Sequence, residues 1–564
     1  MSGTLSFTKK HKYWFLLGLM FVFFISLHLF GIHAPYHQDE YKWVFYSHPE
    51  LVAPGTVAHP PLTEFIYTRI GPIVGDSNFR FIPFFFGILD FFLLFYLAKI
   101  IFDKKTALWV TFLFTISFYS LLATLMVDVD GAIMPFFFLL LAVGYFKWKQ
   151  LGTESKNKWK WILLMLIGAI GGFMIKVSAI LPIVAIFLDF VLDQKVFSDK
   201  KKIFKYLGYA VLGAIALVLL LFGAKLIFPF FNLEYAFKYW EHFVVFSGRG
   251  WLQTFIQFFK SILYTSPLLV IPAFLINKDI WKKTRVFFIF IFFGLFFYLI
   301  AFDFSGGALD RYFQFLIVPL AIISGAVFAN YFENHKARMK SVFLITVASI
   351  IVFLIQFINN VTPPLYPKTE WVHRALSLKL NFLFPFMGGS GPLPFYISFA
   401  FITICWVVSV VLFLIYFTKK DFKALALTGI LILGVSYNAA FIEEYLFGGI
   451  NGSAVKLVMD SEAFIASDKD IKQVTVYNDN GGYNIMQTGK YHKRLYIDPK
   501  FDITNKVEDL NQYKEHYLVI DIPHIDPNSV YAKYFDSCPV VFSEQSGAIS
   551  AKIYDCRKAP DLKI

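Results

Sequence analysis

The sequence predicts an all-α polytopic membrane domain of about 13 transmembrane helices, followed by a small extracytoplasmic α/β C-terminal domain. Three observations predict this fold class. The 564 residues are 57% hydrophobic and include 71 Phe, which is more apolar surface than a soluble domain of this length needs. Apolar runs of roughly 18–22 residues recur, and a helix of that length crosses a bilayer core. After residue 444 the sequence becomes polar, with short strand-like runs.

Apolar segments separated by short charged loops define the membrane domain. We interpret about thirteen of them as spans, each forming one helix that crosses the bilayer. In chain order they are Tyr13–Gly31, Phe79–Ile101, Ala107–Met126, Gly131–Phe146, Trp161–Ile175, Ser178–Leu192, Tyr206–Phe228, Ile262–Ile276, Val286–Phe302, Tyr312–Phe332, Val342–Ile358, Phe395–Phe417 and Ala424–Ile442. The first is expected to be a retained span, because no small-residue cleavage site follows it.

The formal net charge is +13, and its distribution predicts the topology. Lys and Arg concentrate in alternate loops, a bias that marks the cytoplasmic side of a membrane protein. The clusters are Lys104/Lys105, Lys156/Lys158/Lys160, Lys200/Lys201/Lys202, Lys282/Lys283/Arg285, Lys336/Arg338/Lys340 and Lys419/Lys420/Lys423. With an odd number of spans, we expect a multi-pass protein of the cell inner (plasma) membrane, with its N-terminus cytoplasmic and its C-terminal domain outside. Since the cations serve the topology, no nucleic-acid partner is expected.

The predicted domains are a membrane domain over residues 1–444 and an α/β domain over 445–564. The membrane domain carries three long outer loops, at 32–78, 229–260 and 359–394. Long loops gathered on one face usually carry function. The first is expected to contain an interfacial helix, Leu62–Val74.

Strand-like runs and two cysteines characterise the C-terminal domain. The predicted strands are Gln473–Tyr477, Tyr517–Ile520, Val540–Phe542 and Ile549–Tyr554. Cys538 and Cys556 flank the last two, and hairpin spacing leaves two alternatives open, a disulfide or two free thiols. Cys405 lies within a predicted span and is expected to pack there. The sequence contains no CxxC or HExxH motif, so no metal ligands are predicted.

An acidic pair, Asp39-Glu40, just beyond the first span is the best indication of chemistry. Two adjacent carboxylates at the rim of a bilayer are costly and seldom incidental. Ionisable side chains gather on the same outer loops: Asp39, Glu40, His59, Asp128, Asp130, Lys176, Glu234, His242, Arg249, Asp303, Asp310 and Arg311. A carboxylate can deprotonate a hydroxyl, and Arg or Lys can neutralise a phosphate. The set therefore suits a reaction with an anionic, membrane-anchored substrate.

Four of these features form an ordered set that carries a family resemblance. Asp39-Glu40 follows the first span, His59-Pro60-Pro61-Leu62 comes next, Asp130 opens the fourth span, and Arg311-Tyr312 opens a later one. Together they resemble the C-type (GT-C) glycosyltransferases that use polyprenyl-phosphate sugars. The most similar branches are the protein O-mannosyltransferase-like enzymes and the lipid A aminoarabinose transferases. His59 favours the mannosyltransferase branch, since the lipid A branch tends to have Lys there.

The resemblance implies an integral membrane glycosyltransferase of the GT-C fold. Its donor would be a polyprenyl-phosphate sugar, and its acceptor a hydroxyl of a protein, lipid or polysaccharide at the outer face. Asp39 would be the general base, with Glu40 as its acidic neighbour, in one inverting displacement. Arg311, with Lys176 or Arg249 as helpers, would stabilise the leaving phosphate. The remaining predicted substrate-binding residues are His59, Asp130 and Tyr312.

Each residue also has a simpler interpretation. Glu40 either orients Asp39 or caps a helix, and His59 either lines the site or only fixes a turn before proline. Asp130 is a second site acid or a helix cap. With Asp128 it also forms a DxD pair, which binds metal in nucleotide-sugar enzymes, but here the loop is short. The cations Lys176, Arg249 and Arg311 either bind substrate or snorkel to the interface.

Two other functions and one cofactor stay open. A transporter or flippase of lipid-linked saccharides would show internal repeats and charges at mid-membrane. A scaffold or sensor displaying the C-terminal domain would leave the acidic pair without a purpose. No cofactor is required, although carboxylates in the site could hold one divalent cation.

Overall fold

The structure, a computed structural model, describes residues 2–45, 47–48, 59–151, 158–228, 230–241, 249–303, 309–334, 339–364, 369–386, 393–418, 422–477, 480–495, 510, 514–522 and 524–559. Side chains are described in these ranges except at 2–11, 38–39, 41–42 and 309. The chain divides into two compact units. Unit 1 comprises Met1–Ile32, Trp43–Ser305 and Leu309–Ala337, and unit 2 comprises His33–Lys42, Gly306–Ala308 and Arg338–Ile564.

Unit 1 is helical throughout its described part. Its helices are α1 (Ser2–Gly31), α3 (Pro61–Val74), α4 (Phe81–Ile101), α5 (Lys104–Ile116), α6 (Phe118–Leu125), α7 (Ile133–Gln150), α8 (Lys158–Ile175), α9 (Ile180–Asp193), α10 (Lys200–Ile227), α11 (Leu233–Glu241), α12 (Trp251–Val270), α13 (Lys278–Phe296), α14 (Leu309–Tyr312) and α15 (Ile317–Asn334). The chain passes from one unit to the other within α2 (Gln38–Phe45). The predicted helix at Leu62–Val74 is present as α3.

Unit 2 combines further apolar helices with two sheets. Its helices are α16 (Met339–Phe353), α17 (Thr369–Leu376), α18 (Phe399–Thr418), α19 (Lys423–Leu446), α20 (Ala454–Ser467), α21 (Gly482–Gln487) and α22 (Val530–Asp536). Its strands are β1 (Leu383–Phe386), β2 (Phe395–Ser398), β3 (Val474–Tyr477), β4 (Tyr491–Leu495), β5 (Tyr517–Ile520), β6 (Val540–Ser546) and β7 (Ile549–Asp555). The predicted domain boundary at residues 444 and 445 falls at the end of α19 and stays a prediction.

The predicted fold class is confirmed. In the described part of the chain, nine helices are long and apolar enough to cross a bilayer, and the bent pair α5–α6 makes ten when counted as one span. The protein is therefore a multi-pass membrane protein with a small sheet domain near its C-terminus.

The predicted number of about thirteen spans is not established by these helices. The other three predicted spans coincide with α7, α9 and α12. The last turn of α7 carries Lys147 and Lys149, α9 has only 14 residues, and α12 is kinked at Ser266. Each of these helices is therefore a weaker span than its apolar sequence suggests.

Helix breaks in unit 1 create the positions from which polar side chains reach one another. The chain bends by 68° between α5 and α6, where the Ser117 hydroxyl caps α6 by accepting the Ser120 N–H. A short 3₁₀ turn, Val177–Ala179, separates α8 from α9. The π-helical turn Phe297–Ala301 follows α13. Such turns are common at functional sites because they redirect side chains that a continuous α-helix would aim elsewhere.

Glycines allow the helices and turns of unit 1 to approach closely. A Cβ atom on Gly168 of α8 would lie 2.5 Å from the Leu141 nitrogen of α7. A Cβ atom on Gly131, in the turn between α6 and α7, would lie 2.1 Å from the carbonyl oxygen of Ala123. Both distances are below van der Waals contact, so a larger residue would push the backbones apart. The second glycine fixes the path of the turn that carries Asp128 and Asp130.

The larger sheet of unit 2 has five strands in the order β4-β3-β5-β7-β6. Strand β3 is parallel to β4 and β5, whereas β7 is antiparallel to β5 and β6. Helices α20, α21 and α22 contribute to hydrophobic clusters on this sheet. The predicted strands correspond to β3, β5, β6 and β7, and β4 was not predicted. Cys538 and Cys556 form a disulfide with a Cα–Cα distance of 5.0 Å, and Cys405 is buried and free.

Candidate functional site

The turn between α6 and α7 places two buried carboxylates side by side in unit 1. Asp128 and Asp130 alternate with Val127 and Val129 along an irregular stretch of backbone, and both are buried. The Asp128 Oδ1 accepts the Val129 N–H at 2.7 Å, and its carbonyl oxygen accepts the Tyr67 hydroxyl at 3.0 Å. The turn is thus tied to α3 and to its own backbone.

Two cations from distant parts of the sequence meet these carboxylates. The Lys176 Nζ, at the turn between α8 and α9, donates to both oxygens of Asp130 at 2.7 and 2.6 Å. The Arg311 Nε, on α14, lies 3.0 Å from the Asp128 Oδ2 and 3.8 Å from the Asp130 Oδ2. We call these four residues the charge cluster. It balances two positive and two negative charges within a mostly buried space.

Burial also affects the protonation of the cluster. Removal from water raises the pKa of the Asp128 carboxyl, and the neighbouring Asp130 charge adds to this increase, while Arg311 and Lys176 oppose it. The surroundings of Asp128 therefore favour its protonated form more than those of a carboxyl in water do.

Aromatic rings form the floor of the charge cluster. The Tyr312 ring lies 4.2 Å from the Lys176 Nζ and 4.8 Å from the Arg311 guanidinium, and its hydroxyl accepts a hydrogen bond from the Arg311 Nη2 at 2.9 Å. The Tyr298 ring stacks on Tyr312 at 5.5 Å and an interplanar angle of 7°. Both cations therefore rest on a preformed aromatic surface, which favours cations and restricts their positions.

A cavity of ≈ 130 Å³ adjoins this surface. Its walls are mainly aromatic, with Lys176 and His59 among its polar groups; the other lining residues are Pro60, Val177, Ser178, Tyr239, Trp240, Phe297, Tyr298, Phe302 and Tyr312. His59 lies with its ring 5.5 Å from Trp43 and 6.4 Å from Tyr239. A smaller cavity of ≈ 20 Å³ is lined by Asp130, Tyr298, Tyr312 and Gln314, among others. The tyrosine pair thus separates two hollows, and Lys176 faces the larger one.

A further carboxylate, Asp310, and a further cation, Lys260, lie near Arg311. Asp310 is buried, its Oδ1 accepts the Arg311 N–H at 3.1 Å, and its carbonyl oxygen accepts the Tyr119 hydroxyl. Lys260 of α12 is also buried and close enough for its charge to interact with that of Asp310. This pairing fixes the backbone that carries Arg311, and neither Lys260 nor Tyr119 was predicted from the sequence.

Arg249 has different surroundings. Its guanidinium donates to the carbonyl oxygen of Ile300 at 2.6 Å and to that of Phe302, its Nε lies 3.7 Å from the Asp303 Oδ1, and the group rests 4.6 Å from the Trp251 ring. Arg249 therefore binds the end of the π-helical turn. Its predicted role in binding substrate stays a prediction.

The acidic pair lies in the part of α2 that belongs to unit 2. Glu40 is 1% exposed, and its Oε2 accepts the His37 N–H at 3.0 Å. A glutamate that reaches back to the residue before its helix is one half of a capping box, so Glu40 fixes the first turn of α2. The backbone of Asp39 lies in that turn, and its side chain falls outside the described residues. The observed contact of Glu40 is therefore that of a helix cap.

Three further expectations concern outer-loop groups and metal. Glu234 is exposed and pairs with Lys238 of α11 at 3.0 Å, and His242 falls outside the described residues. Wherever side chains are described, no three His, Cys, Asp or Glu groups lie close enough together to hold a metal ion. The divalent cation stays a prediction.

Two solved structures of ArnT are similar in fold to this chain. ArnT from Cupriavidus metallidurans in the apo state matches with a TM-score of 0.56 and 12% identity, over 98% of this chain and 99% of that one. The same protein bound to undecaprenyl phosphate matches with a TM-score of 0.52 and 11% identity, over 96% and 98% of the two chains. This chain therefore has the fold of ArnT. The predicted resemblance to the C-type glycosyltransferases is confirmed at the level of the fold.

Part of this chain also matches a family model. The family described as Dolichyl-phosphate-mannose-protein mannosyltransferase matches residues 58–228, the segment that contains His59, Asp128, Asp130 and Lys176. The S. cerevisiae Pmt1–Pmt2 complex bound to the sugar donor matches 41% of this chain and 34% of that one, with 17% identity and a TM-score of 0.30. A comparison with curated proteins finds no significant match.

Proposed function

We propose that this protein is a C-type glycosyltransferase that transfers a sugar from a polyprenyl-phosphate donor to a hydroxyl of an acceptor at the extracytoplasmic face of the inner membrane. The observation that carries the proposal is the charge cluster on its tyrosine floor, beside an aromatic cavity. Cations held in place by buried carboxylates suit a phosphate, and aromatic walls suit the apolar faces of a sugar or an isoprenoid. The relative bound to undecaprenyl phosphate supports a lipid-linked donor.

Lys176 and Arg311 would bind the phosphate of the donor. Asp130 accepts from the Lys176 ammonium through both its oxygens, and Tyr312 lies against both cations. These contacts hold the cations in position before substrate arrives, so little reorganisation is needed when negative charge develops on the leaving phosphate.

The chemical step would be a single displacement. The acceptor oxygen forms a bond to the anomeric carbon of the sugar, and the bond between that carbon and the phosphate oxygen breaks. The proton of the acceptor hydroxyl passes to the Asp39 carboxylate, and the polyprenyl phosphate leaves with its charge neutralised by Arg311 and Lys176. The configuration at the anomeric carbon inverts. Glu40 would act as a positioning residue, because it fixes the turn of α2 that carries Asp39.

The remaining predicted residues would shape the site. His59 and Tyr312 line the larger cavity, and they would contact the sugar or the start of the isoprenoid chain. Arg249 would act indirectly, by binding the π-helical turn that carries Tyr298. The acceptor would be a protein, lipid or polysaccharide. Lys-rich loops on the opposite side of the spans support the extracytoplasmic placement.

The proposal is tested with purified protein, labelled polyprenyl-phosphate sugars and cell-envelope acceptors. We expect label to move to an acceptor, and Asp39→Asn to lower the rate by about 10²–10⁴-fold, the usual contribution of a general base. Asp460→Asn is the matched control, because Asp460 is an exposed carboxylate of α20 paired with Lys456 at 2.9 Å. An undiminished rate in Asp39→Asn would remove Asp39 as the base.

Two further assays complete the experiment. In the first, the protein is reconstituted in vesicles with a lipid-linked saccharide. Movement of the saccharide across the membrane, with no transfer to any acceptor, would mean that the protein is a flippase and not a glycosyltransferase. Activity after chelation, compared with activity after Mg²⁺ or Mn²⁺ is restored, decides whether the predicted divalent cation takes part.

A further inference from the structure

A groove between α1 and α5 lies apart from the charge cluster. Its volume is ≈ 400 Å³, and its lining residues are Lys12, Tyr13, Leu16 and Met20 of α1 and Lys105, Leu108, Trp109 and Phe112 of α5. Both helices belong to unit 1. Nothing in the proposed transfer reaction uses these residues.

The groove has a cationic end and an apolar end. Residues three, four and seven positions apart share one face of a helix, so Lys105 of α5 is followed along the groove by Leu108, Trp109 and Phe112. Residues 12–20 of α1 and 105–112 of α5 line the same groove, and further along both helices Phe24 stacks on Phe114 at 6.1 Å. The two helices therefore lie side by side in the same direction. Lys12 and Lys105 therefore lie at the same end.

The positive charge at the cationic end is only weakly neutralised by neighbouring carboxylates. Among the described residues, Lys105 forms an ion pair with Glu333 at 3.8 Å, and the Glu333 side chain is 63% exposed. The Lys12 Nζ lies 5.1 Å from the ring of Tyr13. The exposed Lys105–Glu333 pair contributes little, so it neutralises little of the charge of Lys105. A single anionic group placed between the two lysines would complement this end.

One wall of the apolar end is preformed. The Trp109 ring stacks on Phe328 and Phe332 of α15 at 5.8 and 5.4 Å, and α15 is almost entirely buried. A ligand that lies against this wall does not have to order it, which favours binding. Leu16, on the opposite wall, is exposed, as are other apolar side chains of α1 such as Phe15 and Leu19.

We infer that this groove is a binding site for an anionic phospholipid. The phosphate lies between Lys12 and Lys105, next to Tyr13, and one acyl chain runs along Leu16, Met20, Leu108 and Phe112. The inference rests on charge complementarity at one end and on an apolar channel at the other. It is independent of the proposed sugar transfer.

The test measures lipid binding to the purified full chain by native mass spectrometry, in phosphatidylcholine nanodiscs with or without phosphatidylglycerol. We expect the wild type to retain phosphatidylglycerol in preference to phosphatidylcholine. Lys12→Gln/Lys105→Gln is expected to lose this preference by about tenfold or more, since each lysine near an anionic lipid contributes about fivefold. Lys104→Gln is the matched control, because Lys104 is the exposed neighbour of Lys105 and does not line the groove.

A second variant tests the acyl channel. Leu16→Trp fills the groove without changing its charge, so it should weaken retention of both lipids. Three outcomes would overturn the inference: equal retention of the two lipids by the wild type, an equal effect of Lys104→Gln and the double variant, or a dimer whose formation covers the groove and excludes lipid.

Discussion

At the scale of single residues, the Lys176–Asp130 pair decides how the site is organised. The pair is mostly buried, and a buried charge that loses its partner costs more than the pair contributes by itself. Asp130 also lies 3.8 Å from Arg311. The carboxylate therefore has a structural role and, in our proposal, also positions the cation that binds the donor.

This double role leads to the first prediction. Lys176→Gln should lower the free energy of unfolding by about 1–3 kcal/mol, the usual cost of losing a buried hydrogen bond to a charged group. Lys176→Gln/Asp130→Asn should recover part of that loss, because no unpaired carboxylate remains, yet transfer activity should stay low in both. Melting temperature and initial rate are measured on the same preparations. Activity that returns together with stability in the double variant would mean that Lys176 is only structural.

Glu462, which lies outside the membrane helices, predicts how the stability of the protein depends on pH. Burial raises the pKa of Glu462 in α20 to about 7, although the Asn484 Nδ2 donates to its Oε2 at 2.7 Å. The folded state thus holds this proton more tightly than the unfolded chain, and the added stability is lost as the pH rises from about 4.5 toward 7 and above. We expect the melting temperature of the wild type to fall between pH 5 and pH 8.

The matched variant for this pH effect is Glu462→Gln, which keeps the shape and cannot ionise. Its melting temperature should depend less on pH over the same range, by an amount equivalent to roughly 1–3 kcal/mol. Parallel curves for the wild type and the variant would show that Glu462 does not titrate between the two states.

At the scale of helices, one carboxylate joins α7, α9 and α13. Asp189 of α9 is buried and accepts the Tyr145 hydroxyl at 2.5 Å, the Lys149 Nζ at 3.1 Å and the Arg285 Nε at 2.7 Å. Asp193, one turn further along α9, is partly exposed and pairs with the same two cations. The two aspartates therefore make similar contacts at different depths.

This difference in depth predicts different costs. Asp189→Asn should destabilise the protein by about 3–5 kcal/mol, because two cations lose their buried counter-ion. Asp193→Asn should cost about 1 kcal/mol or less, as is usual for exposed ion pairs. The measurement is the melting temperature of each variant in the same detergent. Similar losses in the two variants would contradict the argument from burial.

The elements also show what the sequence can and cannot specify. Apolar length is a local property, so each predicted span overlaps a helix, although the first four residues of the predicted span Phe395–Phe417 form strand β2. Strand β4 was missed because its residues, Tyr491–Leu495, are mostly polar, as an edge strand permits. Tyr298 was missed because its position depends on the π-helical turn, and an apolar run gives no sign of the added residue.

The same limit applies to the site. Outer-loop charges were expected to converge, and the structure brings Asp130, Lys176 and Arg311 together. Pairing is a tertiary property, so the Asp128–Arg311 contact could not be predicted from spacing. Arg249 had the same charge and a similar loop position, yet its donors bind backbone carbonyl oxygens.

At the scale of the whole molecule, the distribution of charge predicts the orientation on which the proposed reaction depends. Lysines and arginines cluster in alternate loops, and such clusters stay in the cytoplasm during insertion. The disulfide between Cys538 and Cys556 is consistent with this orientation, because disulfides persist in oxidising compartments. Two independent features thus favour the predicted placement of the C-terminal domain outside the cytoplasm, which stays a prediction.

Reporter fusions provide the last prediction. Alkaline phosphatase fused after residue 564 should be active, because it folds only outside the cytoplasm, and green fluorescent protein at the same point should be dark. The same reporters inserted at residue 155, in a predicted cytoplasmic loop, should give the opposite result. The second position controls for expression, since both fusions contain the full chain. A cytoplasmic signal at both positions would overturn the topology, and with it the extracytoplasmic acceptor.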